Sequence, residues 1–196
     1  YDDVMNKQRS YIYSRRHHAL IGERIGIDIA NMMADVIENI LQTNDTDYEG
    51  LTMDLLKTLT IEPPFTEEEF RSYDRETAFD KILEAANESF ARRSERIVEV
   101  AKPVIVDCVE NRNMEGRIGV PMTDGKRYIN LVVNLREAYD TECRSIVKEW
   151  QKAVLLLTID ELWKEHLREL DQLRQSVQNA SYEQKDPLVI YKVESF

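Results

Sequence analysis

Apolar residues recur every three or four positions along most of this chain, the spacing that gathers them on one face of an α-helix. Val4, Gln8, Ile12, Arg15 and Ala19 share a face of an opening helical segment over 1–20, with Met5, Tyr11 and Tyr13 beside it. This segment reads as the middle of a helix rather than the start of a protein. Gly22 and Gly26 interrupt the pattern. Ile29, Met32, Met33, Val36, Ile37, Ile40 and Leu41 restore it and predict a second helix over 28–41. The polar stretch 43–50 predicts a loop, 51–59 a short helix, and Pro63-Pro64 an end to regular structure. Thr66 with Glu69 three residues on has capping-box form, so a helix is expected from Glu67. Phe79, Ile82, Leu83, Ala86, Phe90, Ile97 and Val100 mark one side of a long helix over 75–102, which Pro103 breaks or kinks.

The period then changes. Over 117–134, Ile118 and Val120 precede Thr123-Asp124-Gly125, and Tyr128, Ile129, Leu131, Val132 and Val133 follow. β-Branched and aromatic residues around an Asp-Gly predict a β-hairpin. From Lys126 to Asp186 there is neither glycine nor proline, so 135–178 reads as one helix, roughly 65 Å long. Its stripe runs through Tyr139, Cys143, Ile146, Trp150, Val154 and Leu157, then Ile159, Leu162, Trp163, Leu167, Leu170, Leu173 and Val177. Antiparallel packing against 1–20 is the simplest support for so long a helix. The fold class is therefore mainly all-α, with long helices and a small β-hairpin near 117–134. No internal repeat or low-complexity tract is present.

The last forty residues form an amphipathic helix, a short polar loop and, after Asp186-Pro187, a second amphipathic segment. That is a helical hairpin with one aromatic residue, Tyr182, at its tip. A large ring among Asn179, Ala180, Ser181, Glu183 and Gln184 is poorly placed for core packing and well placed to touch something outside the chain. Trp150 and Trp163 lie in the apolar stripe and read as core anchors.

Composition narrows the function classes. In 196 residues, a formal net charge of −11 opposes nucleic-acid binding, and the one basic cluster, Arg15-Arg16-His17-His18, is short. Cys108 and Cys143 are far apart and form no Cys/His cluster, so no metal site is expected, and reduced thiols in a cytoplasmic chain are the default. The longest apolar run, 153–159 with Thr158 inside it, falls far short of the roughly 20 residues of a membrane span. There is no phosphate loop, no GxGxxG and no GxSxG elbow, and no nucleophile, base and orienter gather. The chain by itself is not expected to be an enzyme. Glu67-Glu68-Glu69 reads as a helix first turn facing the positive dipole end. Asp160–Lys164 and Glu165–Arg168 read as surface pairs along one helix. His166 reads as a partner for a neighbouring carboxylate or as a half-buried packing residue.

Two blocks carry a resemblance. YDDVMNKQRSYIYSRR at the start, and LLLTIDELWKEHLRELDQLRQS with SYEQKDPLVIYKVESF at the end, resemble the SecA family of motor ATPases of bacterial preprotein export. The resemblance covers about the first twenty and last forty residues, and the YDDV, QR and IY positions, the LW-KEHL and LRQ positions and the Tyr-x-Gln-Lys-Asp-Pro run from Tyr182 to Phe196 are together highly specific. It implies a helical scaffold domain in 1–44 and again in 136–196, the latter with a truncated two-helix finger, and a helical wing domain in 45–135. The stretch 103–134 looks like an insertion relative to shorter family members. The resemblance further implies that the finger loop, Ser181, Tyr182, Glu183 and Gln184, contacts the preprotein chain and the SecY channel. Trp163, Leu167, Leu170 and Leu173 would pack the finger and scaffold. By match, Tyr182 is the residue that touches the translocating polypeptide. The family's finger loop often has a glycine and basic or large apolar residues before the tyrosine, whereas here Ser176, Val177, Gln178, Asn179, Ala180 and Ser181 occupy that stretch.

The implied function is non-catalytic coupling of ATP-driven motion to preprotein movement. ATP and Mg would be held by upstream domains, no cofactor by this fragment, and the full-length protein would sit in the cytoplasm, peripheral at the bacterial inner membrane. Its partners would be the preprotein, the SecY channel and other domains of the same motor, with no nucleic acid. Read from the residues alone, a helical scaffold, dimerisation or regulatory module unrelated to export remains the alternative, and an enzyme with a pocket near Tyr128 a third.

Overall fold

The computed structural model describes residues 1–22, 24–123, 125–179 and 186–195, with the side chains of 178 and 179 left aside. It is mainly α-helical with a single two-stranded antiparallel sheet among the described residues. The chain divides into two compact units: Tyr1–Ile25 with Lys148–Phe196, and Gly26–Val147.

In the first unit, α1 (Asp2–Ile21) ends where Gly22 adopts φ 75° and its N–H reaches the His18 carbonyl. A side chain is disfavoured in that left-handed conformation, which is why a glycine follows the helix. The long helix α7 (Arg144–Asn179) contributes its residues from Lys148 onward. The short helix α8 (Pro187–Glu194) starts with Asp186 accepting from the Leu188 N–H and with proline at the first helical position, where no N–H is needed. α1 and α7 run antiparallel: Val4 packs with Leu170, Gln8 meets His166 and Arg16 meets Asp160.

The second unit is built on α2 (Ile25–Thr43), α3 (Tyr48–Thr58), α4 (Glu67–Ser72) and α5 (Arg75–Val106). Ile37, Leu51, Leu55 and Ile82 are fully buried at its centre. Phe65 stacks on Phe70 at 5.8 Å and meets Tyr73 edge-on, while the Tyr48 hydroxyl donates to the Phe65 carbonyl. The capping box at Thr66 and Glu69 forms as expected, and it holds the Glu69 carboxyl below its usual range, chiefly through the Thr66 N–H. The hairpin joins β1 (Arg117–Thr123) to β2 (Tyr128–Asn134), with Ile118, Val120 and Met122 opposite Val133, Leu131 and Ile129.

Four expectations need correction. The short helix α3 starts at Tyr48, not 51, because Asp47 accepts from the Gly50 N–H and caps it. Pro103 does not end α5, which runs on to Val106 and into a π-helical turn, Asp107–Asn111. Burial of Ile105 and Cys108 outweighs the one backbone hydrogen bond proline cannot make. The expected single helix over 135–178 is two helices, α6 (Leu135–Asp140) and α7. Between them Glu142 and Cys143 take φ of 50° and 68° without any glycine. The break is held by the Cys143 N–H to the Ala138 carbonyl at 2.7 Å, by Glu142 on Lys102, and by burial of Cys143. Finally, Asp160 pairs with Arg16 rather than Lys164, since a guanidinium from α1 offers a two-pronged partner.

Candidate functional site

A polar residue of α1 bridges the helices of the first unit. Gln8 lies on the face of α1 that also carries Val4, Ile12 and Ala19. Its Nε2 donates to the Ser195 carbonyl at 2.7 Å, just past α8. Its Oε1 is then the acceptor for His166 Nε2 on α7, at 3.0 Å, which requires His166 to carry its hydrogen on Nε2. One amide thus joins α1, α7 and the end of α8. The partner of His166 is this amide rather than a carboxylate, and the His166 ring also lies against Trp163 at 5.6 Å.

One turn nearer the start of α1, Val4, Leu170 and Tyr191 form a buried cluster, with Tyr1, Met5 and Leu173 partly buried against it. The Tyr1 and Tyr191 rings meet edge-on at 4.5 Å, and the Arg174 guanidinium lies 5.1 Å over Tyr1. Burial pushes the Tyr191 hydroxyl up from its ordinary value. Nearer the end of α1, Arg16 grips Asp160 with two hydrogen bonds of 2.9 and 3.2 Å, and this hydrogen bonding holds the Asp160 carboxyl below its usual range.

Of the residues singled out for packing, Leu170 is buried, and Leu173, Leu167 and Trp163 are half-buried. Trp163 lines an apolar groove of about 600 Å³ between α1 and α7, together with Tyr11, Ile12, Ile159 and Leu162. Tyr11 and Leu162 are largely exposed there. The loop residues Ser181, Tyr182, Glu183 and Gln184 lie outside the described residues. Gln8 and Tyr191 were not singled out from the sequence for a role. The available signal for Gln8 was its polarity inside an apolar stripe.

Among the described residues no group of histidine, cysteine, aspartate and glutamate could hold a metal ion, and no helix is long and apolar enough to cross a membrane. The geometry instead offers paired helices, a short returning helix locked onto them, and an apolar groove alongside.

The whole chain, residues 1–196, matches the SecA wing and scaffold domain. It is 54% identical over 197 residues to the protein translocase subunit SecA of Parabacteroides distasonis. It is 55% and 53% identical, each over 196 residues, to the subunits of the same name from Bacteroides thetaiotaomicron and Bacteroides fragilis. All of this chain is covered in each case, but it spans only 18% of each relative's length. No solved structure matches it.

Proposed function

Because the chain belongs to the SecA wing and scaffold domain family, we propose that it serves as the wing and scaffold of a protein-export translocase subunit. In this reading it couples ATP-driven motion to the movement of a preprotein through the SecY channel. ATP and Mg belong to other parts of the longer protein, and this segment is non-catalytic. A scaffold unrelated to export no longer accounts for the family membership.

The observation that carries the reading is the locked arrangement of α1, α7 and α8. α7 has 36 residues, about 54 Å at the usual helical rise, and a hydrogen-bonded helix is stiff along its axis. α8 returns onto α1 and α7 through Tyr191 and through Gln8 with Ser195, so displacement of the long helix carries the short one with it. The sequence between α7 and α8 contains Tyr182, whose ring would touch a passing chain by apolar area without reading its sequence. Such tolerance suits a carrier of varied unfolded polypeptides. The full-length protein would act in the cytoplasm at the face of the inner membrane.

The test is site-specific photo-cross-linking from position 182 in the full-length protein during export of a tagged preprotein into vesicles, run beside ATPase measurements. Adducts to the preprotein, and a Tyr182→Ala variant that turns over ATP but exports poorly, are expected. Tyr182→Phe and Tyr182→Trp should retain more export than Tyr182→Ala. Export by Tyr182→Ala at the wild-type rate, or a defect that tracks unfolding, would rule out the finger-tip role.

A further inference from the structure

The hairpin of the second unit has an apolar face that only half of it covers. Leu131 and Val133 of β2 are 4% and 2% exposed, whereas their partners Val120 and Ile118 on β1 are only half-buried, as is Met122. Beside β1 a groove of about 530 Å³ opens toward α5. On the α5 wall, Arg96, Val100 and Val104 lie at successive i,i+4 positions, and the two valines are 70% and 58% exposed.

The lining is one-sided in charge. Among the described residues that line it, the only charged groups are Arg93 and Arg96, with no carboxylate, in a chain of net charge −11. Arg93 is engaged by the carbonyl and hydroxyl of Thr60. Arg96 makes no hydrogen bond or ion pair with any described residue. An exposed apolar trough ending in an unengaged guanidinium complements a segment that is apolar along its length and acidic at one end.

The edge itself sets the mode of docking. Pro121 has no N–H, and within a paired strand proline sits where its nitrogen faces away from the partner. The outer edge of β1 therefore lacks a donor in its middle, which discourages strand addition and leaves side-chain packing.

We propose that the α5–β1 groove is a docking site for an apolar peptide segment of a separate polypeptide that carries a carboxylate at one end, its apolar side chains against Val100, Val104, Val120 and Met122 and its carboxylate on Arg96. This site lies wholly in the second unit and does not depend on the role assigned to α1, α7 and α8.

The test uses the 196-residue chain and two short fluorescein-labelled peptides of alternating leucine and serine, one ending in glutamates and one in lysines, followed by fluorescence anisotropy. The glutamate peptide should bind more tightly. Arg96→Glu should weaken it by about tenfold and favour the lysine peptide instead. Val104→Asp should abolish binding of both. Both positions are exposed, so unchanged helical circular dichroism and melting are expected and serve as the folding control. Equal binding of the two peptides, no binding of either, or binding insensitive to Val104→Asp would overturn the proposal. Self-association of the chain that Val104→Asp removes would overturn it in favour of a contact between copies. Peptide binding lost when the chain is part of its longer protein would assign the groove to that protein's own packing.

Discussion

The side-chain amide of Gln8 donates to the backbone carbonyl of Ser195 at 2.7 Å, across 187 positions of sequence. With its oxygen it also accepts from His166, so a single side chain links α1 to both α7 and the end of α8.

Gln8→Ala should therefore loosen α8 more than its size suggests. Loss of two partly buried hydrogen bonds is expected to cost about 1–2 kcal/mol. Gln8→Glu keeps an acceptor for His166 but loses the donor to Ser195, so it should free the end of α8 while retaining the α1–α7 contact. Hydrogen exchange of the α8 amides, read beside those of α7, checks both outcomes.

Leu170 and Leu167 sit three residues apart on α7 but differ in enclosure. Leu170 is 4% exposed against Val4 and Tyr191, whereas Leu167 is half-buried. Leu170→Ala should lower stability by about 2–5 kcal/mol, and Leu167→Ala by clearly less. Denaturant midpoints of the two variants provide the comparison, and equal losses would contradict it.

Alanine usually improves a helix over glycine, yet Gly50→Ala in α3 should destabilise. A Cβ there would fall 2.4 Å from Asn44 Oδ1 and 2.5 Å from Asp47 Oδ2. Asp47 caps α3 through the Gly50 N–H, and buried Asn44 donates to Asp54 and to the Ile40 carbonyl. Displacing these groups is expected to cost about 1–2 kcal/mol net of the propensity gain, measured by thermal unfolding.

Acid should weaken the grip of α1 on α7. The Asp160 carboxyl, held down by its hydrogen bond from Arg16, has a lower value folded than unfolded. Its contribution is thus complete above the ordinary aspartate range and is lost as pH falls through the depressed folded value. Asp160 is partly exposed, so the contribution is less than about 1 kcal/mol. Stability of Asp160→Asn, compared with wild type across acidic pH, should lack this component of the slope.

Local chemistry determined much of this molecule without help from distant contacts. The helical stripes, the Thr66–Glu69 capping box and the Asp-Gly hairpin were legible because each depends on neighbours within a few residues, where spacing alone settles which groups can meet. Tertiary structure decided the rest. Nothing local marks the break at Glu142 and Cys143, because two non-glycine residues accept left-handed backbone only when burial of Cys143 and the pairing of Glu142 with Lys102 compensate. Pro103 likewise stays helical because Ile105 and Cys108 are buried beyond it. Gln8, His166 and Ser195 meet only after α1, α7 and α8 have folded together, and among the described residues no carboxylate is brought to Arg96 in the α5–β1 groove. Sequence spacing governs which groups meet along one element. Which groups meet between elements depends on the packing that brings those elements together.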